Sequence, residues 1–271
     1  MIKLEHVVLP SPEQMKFVIE GMRNPMNSWD KSDSGECYSY DCMDDVHKCP
    51  TGGFDIGPGD YSLMKSLSYS GTDHRKFMRM IPVYVRITAP LYWWKEFKTY
   101  RFGRRFGDGE PDISAISDEY LEYDIETNSC STMHKITKKE FTMEDFSCEH
   151  LLSLTSKDDE RTVPIIDVSP YHDKTIIYSP NGWLTGTIYL LNECRKWYLE
   201  TNNKKYWWQL IQLLPSSYNQ TRNVMLNYEV LTNMYKSRKN HKLDEWREFC
   251  KWIEDLPYSD LITGEEKEML K

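Results

Sequence analysis

The stretch from Leu213 to His241 decides the fold, and it reads LLPSSYNQTRNVMLNYEVLTNMYKSRKNH. After Leu213-Leu214-Pro215-Ser216-Ser217, the spacing of its apolar residues predicts a helix over residues 222–239. At about 100° per residue, one face of this helix carries an amide at one end, an Arg and a His at the other, and aliphatic side chains between them. The residues on this face are Asn227, Val230, Leu231, Met234, Arg238 and His241.

Two interpretations of this helix face remain open from its residues alone. A core face does not bury a guanidinium group without a partner, because the desolvation cost is high. A planar polar ligand could instead lie on the aliphatic part and be bound by the Asn227 amide and the Arg238 fork. Alternatively, Arg238 and His241 only lie near a helix C-terminus, where the helix dipole favours cations.

Capping residues and apolar spacing predict the other elements. Ser11, Pro12 and Gln14 form a capping box for a first helix that ends at about Asn24-Pro25. Further helices are predicted over residues 61–69, 91–97, 139–155, 183–202, 204–213 and 243–254, and a strand over residues 81–87. Few strands among many helices predict a mixed α/β or α+β fold. We expect one domain over residues 1–271, with a polar excursion at 26–59 and an insertion at 102–127.

Composition excludes some classes of function. The chain has 42 acidic and 34 basic side chains, hence a net charge of −8. A protein that binds nucleic acid through phosphates usually has a basic surplus, so we expect no nucleic-acid partner. The sequence has no run of 18 apolar residues, so we expect no membrane-spanning segment. The N-terminus lacks the pattern of a signal peptide, so we expect a cytoplasmic protein with reduced cysteines.

One cluster has the residue types of a zinc site. Cys37, Cys42, His47 and Cys49 could form a Cys3His set. The close His47-x-Cys49 spacing is awkward for a tetrahedral ion, so we predict no metal here and interpret the segment as a loop. A zinc-bearing interaction module remains a further alternative.

The C-terminal pattern resembles a known family. Asn227-x5-Asn233-x4-Arg238 after Leu214-Pro215, with His241 nearby, is similar to the signature of the flavin-dependent thymidylate synthases. The resemblance implies a small, mostly antiparallel sheet flanked by many helices. It also implies that Asn227 and Arg238 contact both the flavin and the pyrimidine substrate, and that Asn233 and His241 contact the flavin. In the family the His comes one residue later than His241.

The N-terminal half resembles the same family more loosely. The family's Arg-His-Arg triplet corresponds to Thr99-Tyr100-Arg101, of which Arg101 alone matches and would bind the cofactor. Asn128 and Ser131 match the next motif and would bind substrate. Three charged family residues are replaced, a Glu by Ser129, an Arg by Met133 and another Arg by Ile211. A phosphate needs charged, bidentate donors, which Met and Ile cannot provide.

The resemblance implies a function with one alternative. In the family, FAD takes electrons from reduced nicotinamide, a folate supplies the carbon, and dUMP is reductively methylated by a homotetramer. Arg238 would then be catalytic, because it would orient and polarise the pyrimidine ring. The lost phosphate-site charges favour the alternative, a noncatalytic relative used for ligand sensing or protein interaction.

Overall fold

Small sheets and many helices make up this chain, for which a computed structural model describes residues 2–37, 53–100, 126–131, 135–152 and 179–264. The strands are β1 (Lys3–Val8), β2 (Gly35–Glu36), β3 (Phe54–Asp55), β4 (Pro82–Pro90), β5 (Glu126–Ser129) and β6 (Asn219–Asn227). The helices are α1 (Pro12–Arg23), α2 (Pro58–Tyr69), α3 (Leu91–Phe97), α4 (Pro180–Thr201), α5 (Lys204–Leu213), α6 (Tyr228–Arg238), α7 (Asp244–Glu254) and α8 (Asp260–Thr263).

The larger sheet has four strands in the order β1-β4-β6-β5, and β2 pairs antiparallel with β3 in a second sheet. Side-chain contacts define the register of β4 and β6. Thr88 lies against Thr221 and Arg86 against Asn223, so two steps back along β4 correspond to two steps forward along β6. The two strands are therefore antiparallel. This confirms the predicted fold of small antiparallel sheets among helices.

One face of β4 is buried and the other is polar. Val83, Val85 and Ile87 are buried, whereas Tyr84 and Arg86 between them are exposed. Successive side chains of a strand point to opposite faces, so this alternation separates a core face from an accessible face. The accessible face of the sheet is available for polar chemistry.

Residue contacts divide the chain into two units. Unit 1 contains Thr88–Lys95 and Ser129–Thr221, and unit 2 contains Ile2–Ile87, Glu96–Asn128 and Arg222–Lys271. The single domain expected over the whole chain stays a prediction.

The core of unit 1 forms around α4 and α5. Its buried residues are Ile136, Phe141, Phe146, Leu184, Ile188, Leu191, Cys194 and Leu210. Asn192 binds the backbone of Phe141 through both ends of its amide, with Phe141 N donating at 2.8 Å and Asn192 Nδ2 donating at 2.9 Å. The helix predicted over 139–155 is wrong, because within residues 139–152 the only helical piece is the 3-10 turn Met143–Asp145. The Asn192 amide hydrogen-bonds to the backbone N–H and C=O of Phe141, groups that would pair with other backbone groups in a helix.

The core of unit 2 contains helices with apolar residues at helical spacing. On α1 the buried apolar residues are Met15, Val18, Ile19 and Met22, and on α7 they are Trp246, Phe249, Cys250 and Ile253. Each set follows the i, i+3, i+4, i+7 pattern of an amphipathic helix. The capping box predicted for α1 is confirmed, because Gln14 N donates to Ser11 Oγ and Ser11 N donates to Gln14 Oε1.

Buried Asp60 joins several segments of unit 2. Its carboxylate accepts hydrogen bonds from Arg23 Nε at 2.5 Å, Ser32 Oγ at 2.7 Å and Ser34 Oγ at 2.6 Å. Burial opposes the charged form, but these hydrogen bonds and the charge of Arg23 outweigh it and hold the pKa of Asp60 below its ordinary value. Asp33 in turn accepts from the backbone N–H groups of Gly59 and Asp60, in the first turn of α2. The network fixes the start of α2 to the end of α1.

The decisive stretch is half strand and half helix, so the helix predicted over 222–239 is wrong in its first part. Residues 219–227 form β6, and α6 begins only at Tyr228. Along β6, Gln220, Arg222, Val224 and Leu226 are buried and the residues between them are more accessible. This period of two is typical of a strand with one buried face.

Most other predicted elements are confirmed, including the helices over 61–69, 91–97, 183–202, 204–213 and 243–254 and the strand over 81–87. None of the described helices is long and apolar enough to cross a membrane. Residues 38–52 of the expected polar excursion and 102–125 of the expected insertion lie outside the described residues.

Candidate functional site

Arg238, at the end of α6, lies against two aromatic rings of unit 2 that also contact each other. Its guanidinium carbon is 4.8 Å from the ring centroid of Trp246 and 5.3 Å from that of Tyr100. Arg238 Nε donates to the Tyr100 hydroxyl. Trp246 is fully buried and packs against Phe97 and Phe249. These contacts hold the guanidinium in one orientation through cation–π attraction and hydrogen bonding.

One oxygen of Glu96 accepts from the groups around Arg238. Arg238 Nη1 is 2.9 Å from Glu96 Oε2, and Trp246 Nε1 donates to the same atom at 3.0 Å. His241 Nε2 is 3.7 Å from it, within ion-pair distance. We call the point occupied by Glu96 Oε2 the anion position, since two nitrogen atoms donate to it and a third, His241 Nε2, faces it.

His241 lies just beyond the end of α6, and a backbone hydrogen bond orients its ring. The backbone N–H of Leu243 donates to His241 Nδ1 at 3.2 Å. The other ring nitrogen, Nε2, therefore faces Glu96.

Asn227 is the N-cap of α6. Its Oδ1 accepts from Val230 N at 2.9 Å, as N-cap side chains do. Among the described residues its Nδ2 has no hydrogen-bond partner, and this atom is not fully enclosed. The amide nitrogen of Asn227 is therefore available to donate to a ligand.

Asn233 belongs to a second cluster, built on buried Glu229. Asn233 Oδ1 accepts from Arg75 Nη2 at 3.2 Å, and Asn233 Nδ2 donates to the backbone oxygen of Glu229 at 3.0 Å. The Glu229 carboxylate accepts from Arg75 Nε at 3.3 Å and also from Arg79 Nε. Both ends of the Asn233 amide are thus used within unit 2, and two guanidinium groups share one carboxylate.

A groove of about 340 Å³ lies on the accessible face of the four-stranded sheet. Its polar lining residues are His6, Tyr84, Arg86, Asn128 and Asn223, all of them in unit 2, and we call it the sheet groove. Arg86 Nε donates to Asn223 Oδ1 at 3.3 Å. The groove offers guanidinium, amide, imidazole and phenol groups, which suit a polar organic ligand.

Solved structures match this fold over nearly the whole chain. Flavin-dependent thymidylate synthase ThyX from Helicobacter pylori, complexed with FAD and dUMP, superposes with a TM-score of 0.52 at 13% identity, over 97% of this chain and 96% of that one. A second ThyX structure from the same organism, with FAD and dUMP, has the same score and identity and is covered to 95%. This chain has the ThyX fold.

A third matching structure is a UMP/dUMP methylase, PolB from Streptomyces cacaoi, bound with 5-Br dUMP. It has a TM-score of 0.50 at 12% identity, over 97% of this chain and 94% of that one. No protein-family model and no curated protein sequence matches the chain. The similarity to ThyX therefore lies in the fold.

Within this ThyX fold, the predicted site residues fall into separate groups. Arg238 and His241 meet at the anion position, Asn227 and Asn233 lie at the N-terminus and middle of α6, and Asn128 lines the sheet groove. Ser131 is exposed and belongs to unit 1. Arg101 lies outside the described residues.

The single helix face predicted from Asn227 to His241 is corrected by the ThyX-like structure. Asn227 is the last residue of β6 and His241 follows α6, so neither lies in the helix. Val230, Leu231 and Met234 are buried in the core of unit 2. They do not form an aliphatic surface on which a ligand could lie.

Several residues of the site could not be predicted from the sequence. Glu96, Tyr100 and Trp246 come from α3, the segment after it and α7, and no spacing relates them to Arg238. Arg75 joins Asn233 in the same way. The polar members of the sheet groove had a signal, since the alternation of β4 already placed Tyr84 and Arg86 on one face.

Two replaced family positions and the possible zinc ligands complete the comparison with ThyX. Ile211, which the sequence resemblance aligned with a family Arg, packs against the core of unit 1, and Met133 lies outside the described residues. Cys37 is half-buried, whereas Cys42, His47 and Cys49 lie outside the described residues. The described residues contain no group of three or more potential metal ligands. The absence of zinc stays a prediction.

Proposed function

We propose that this chain binds FAD and a pyrimidine deoxynucleotide such as dUMP. The observation that carries the proposal is the ThyX fold, which extends over 97% of the chain and matches structures complexed with both compounds. The Asn227-x5-Asn233-x4-Arg238 pattern supports it independently, because it is a feature of the sequence that does not depend on the fold.

The donors of unit 2 suit these ligands. The rings of flavin and uracil have carbonyl oxygens at their edges, which accept hydrogen bonds from amide and guanidinium groups. Asn227 Nδ2 would contact both ligands, and Arg238 would contact the nucleotide and the flavin. Arg101, Asn233 and His241 would bind the flavin, and Asn128 and Ser131 the nucleotide. Asn233 could contribute only after releasing Arg75.

The activity that fits both ligands is reductive methylation of the pyrimidine nucleotide. Flavin would carry electrons from reduced nicotinamide, and a folate would supply the carbon. Arg238 would then act as the catalytic residue, since a fixed guanidinium stabilises negative charge that develops on the ring. We also propose that the subunit is a single domain, that it forms a homotetramer, and that it is cytoplasmic.

A noncatalytic relative is the second candidate. The side chain of Ile211 contributes to the core of unit 1, where the family has a charged phosphate contact. The Arg238 guanidinium is already paired with Glu96, and the Asn233 amide oxygen already accepts a hydrogen bond from Arg75. Conversion of dUMP by the purified protein with FAD, NADPH and methylene-folate separates the candidates. Methylated product supports the enzyme, and tight binding of both ligands without turnover supports the noncatalytic relative.

Substitution of Arg238 tests whether the chain binds FAD and dUMP. We expect flavin bands in the absorption spectrum of the purified protein and calorimetric binding of FAD and dUMP. Arg238→Lys should weaken binding by about 1–3 kcal/mol, because Lys lacks the planar fork. Arg195→Lys is a matched control, since Arg195 is similarly half-buried beside a carboxylate in unit 1. Equal binding by wild type and Arg238→Lys, or no binding by either, would reject the proposal.

A further inference from the structure

The polar side chains of the sheet groove make little use of one another. The bond from Arg86 Nε to Asn223 Oδ1 is the only hydrogen bond that either side chain makes within the described part of the chain. Over the same residues, the side chains of Tyr84 and Asn128 make none. None of the described lining residues is acidic. The Arg86 guanidinium therefore faces the groove without a lining carboxylate, and several other polar groups are available to a ligand.

The two ends of the groove differ in chemistry. Its lining residues come from all four strands, with His6 on β1, Arg86 on β4, Asn223 on β6 and Asn128 on β5. Neighbouring strands lie about 4.8 Å apart, so Arg86 and Asn128, which are two strands apart, are separated by roughly 10 Å across the sheet. One end of the groove thus offers a guanidinium and an imidazole, and the other end offers an amide.

The backbone of His6 is a second observation that points to a ligand. Its φ is 51°, in the left-handed region that favours glycine, although His6 lies within β1. Few non-glycine residues adopt this conformation, and those that keep it cluster where a structure binds ligands. The His6 side chain lines the groove. The uncommon conformation and the available donors therefore occur at the same place.

These groups select a ligand with an anion at one end and a polar ring at the other. The planar fork of Arg86 matches two oxygens of a phosphate. Tyr84, whose side chain is 44% exposed, offers a flat ring, and the Asn128 amide can both donate to and accept from the edge of a pyrimidine. The groove volume of about 340 Å³ lies within the range of small-molecule sites. A pyrimidine mononucleotide has both features.

We infer that the sheet groove binds the pyrimidine nucleotide, with the phosphate at Arg86 and the ring at Asn128. This inference rests on the proposed function and deepens it, because it supplies a phosphate contact in a chain with Met133 and Ile211 at two positions that the resemblance aligns with Arg. Arg238 is not a lining residue. Its proposed contact with the ring would therefore come from another copy of the chain in the proposed homotetramer.

Calorimetry with dUMP and with deoxyuridine, which lacks the phosphate, tests the two ends of the groove on the full chain. Arg86→Gln should bind dUMP about tenfold more weakly than wild type, because a charged hydrogen bond is lost, and should bind deoxyuridine unchanged. Arg86→Lys keeps the charge without the fork and should lose less. Asn128→Ala should weaken the binding of both ligands by a similar factor, because the ring is common to them.

Lys3→Gln is the matched control for net charge, since Lys3 is an exposed residue of β1 that does not line the groove. Circular dichroism verifies that each variant is folded. If wild type binds dUMP but not deoxyuridine, the phosphate dominates binding, and Arg86→Gln should then abolish the binding of dUMP.

The outcomes separate this inference from the proposed function. Binding of dUMP that is unchanged in Arg86→Gln, or equally weakened in Lys3→Gln, overturns the phosphate contact and leaves the proposed function standing. An equal loss for deoxyuridine in Arg86→Gln also overturns it. Unchanged binding of dUMP by Asn128→Ala overturns the placement of the ring. Absence of dUMP binding in wild type rejects the proposed function and the inference together.

Discussion

At the residue scale, Asn227 has a structural role and a proposed ligand role that one substitution can separate. Its Oδ1 caps α6, and its Nδ2 is available to a ligand. Asn227→Asp keeps the capping oxygen, and Asp is as good an N-cap as Asn, so the free energy of unfolding should change by less than about 0.5 kcal/mol. Binding of FAD and dUMP should weaken by about 1–3 kcal/mol, because the amide donor is lost.

Denaturant unfolding and calorimetry measure the two effects of Asn227→Asp. Asn227→Ala should lose about 1 kcal/mol of stability as well, since the cap is removed. Asn203→Asp is the matched control, because Asn203 caps α5 in unit 1 by the same kind of bond to Lys205 N. Unchanged ligand binding by Asn227→Asp would show that this side chain is a cap and nothing more.

At the element scale, buried Asp60 should make the attachment of α2 depend on pH. Its folded pKa lies below its ordinary value, so the charged carboxylate stabilises unit 2 above the unfolded pKa of about 4. That contribution is lost as the pH falls towards the folded pKa. Asp60→Asn should cost about 3 kcal/mol at pH 7, because Arg23 then lacks its buried partner.

Chemical unfolding of wild type and Asp60→Asn at a series of pH values checks this prediction. The difference between the two proteins should be constant from pH 7 to about pH 5 and shrink below about pH 4. Asp30→Asn, which removes an exposed carboxylate near the same segment, should show no such dependence. A difference that is the same at pH 3 and pH 7 would contradict the role of the Asp60 charge.

Local sequence signals defined some elements of this fold and not others. The helix α1, with its capping box, and the helix α7, with its regular apolar spacing, were predictable because local interactions define them. The strand β6 was missed because its alternation was interpreted as part of the following helix, and its pairing with β4 depends on residues far away in the chain. The prediction of a helix over 139–155 was wrong for a similar reason, since the Asn192 amide that binds Phe141 is 51 residues away.

The candidate site was predictable only in part. The Asn227, Asn233 and Arg238 pattern is local and could be found, but their partners could not. Glu96 reaches Arg238 across 142 positions, and Arg75 reaches Asn233 across 158, so only the folded chain brings them together. The spacing of the motif therefore indicated the family resemblance but not the contacts that its side chains make in the folded chain.

At the scale of the whole molecule, α4 exposes apolar side chains that predict self-association. Trp183 is 57% exposed and Leu190, two turns further along the same face, is 54% exposed. Exposed apolar patches on helices commonly mark protein interfaces. We expect a homo-oligomer, most simply a tetramer, by light scattering at micromolar concentration.

Charged substitutions test whether α4 is that interface. The double variant Trp183→Glu, Leu190→Glu should dissociate into smaller species, because desolvating a carboxylate in an interface is costly. Phe17→Glu is the control, since Phe17 on α1 in unit 2 is equally exposed. A monomer mass for the wild-type chain, or a double variant that keeps the wild-type mass, would refute the assignment.

The direct passage from β6 into α6 has a mechanical consequence. Asn223 lines the sheet groove, Asn227 ends the strand and caps the helix, and Arg238 ends the helix. No loop residue separates β6 from α6 in this described segment, and the hydrogen bond from Val230 N to Asn227 Oδ1 closes the junction between them. A ligand that displaces the groove end would therefore move the Arg238 end with it. Such coupling is reciprocal, so occupancy at each end would change the affinity of the other by the same factor.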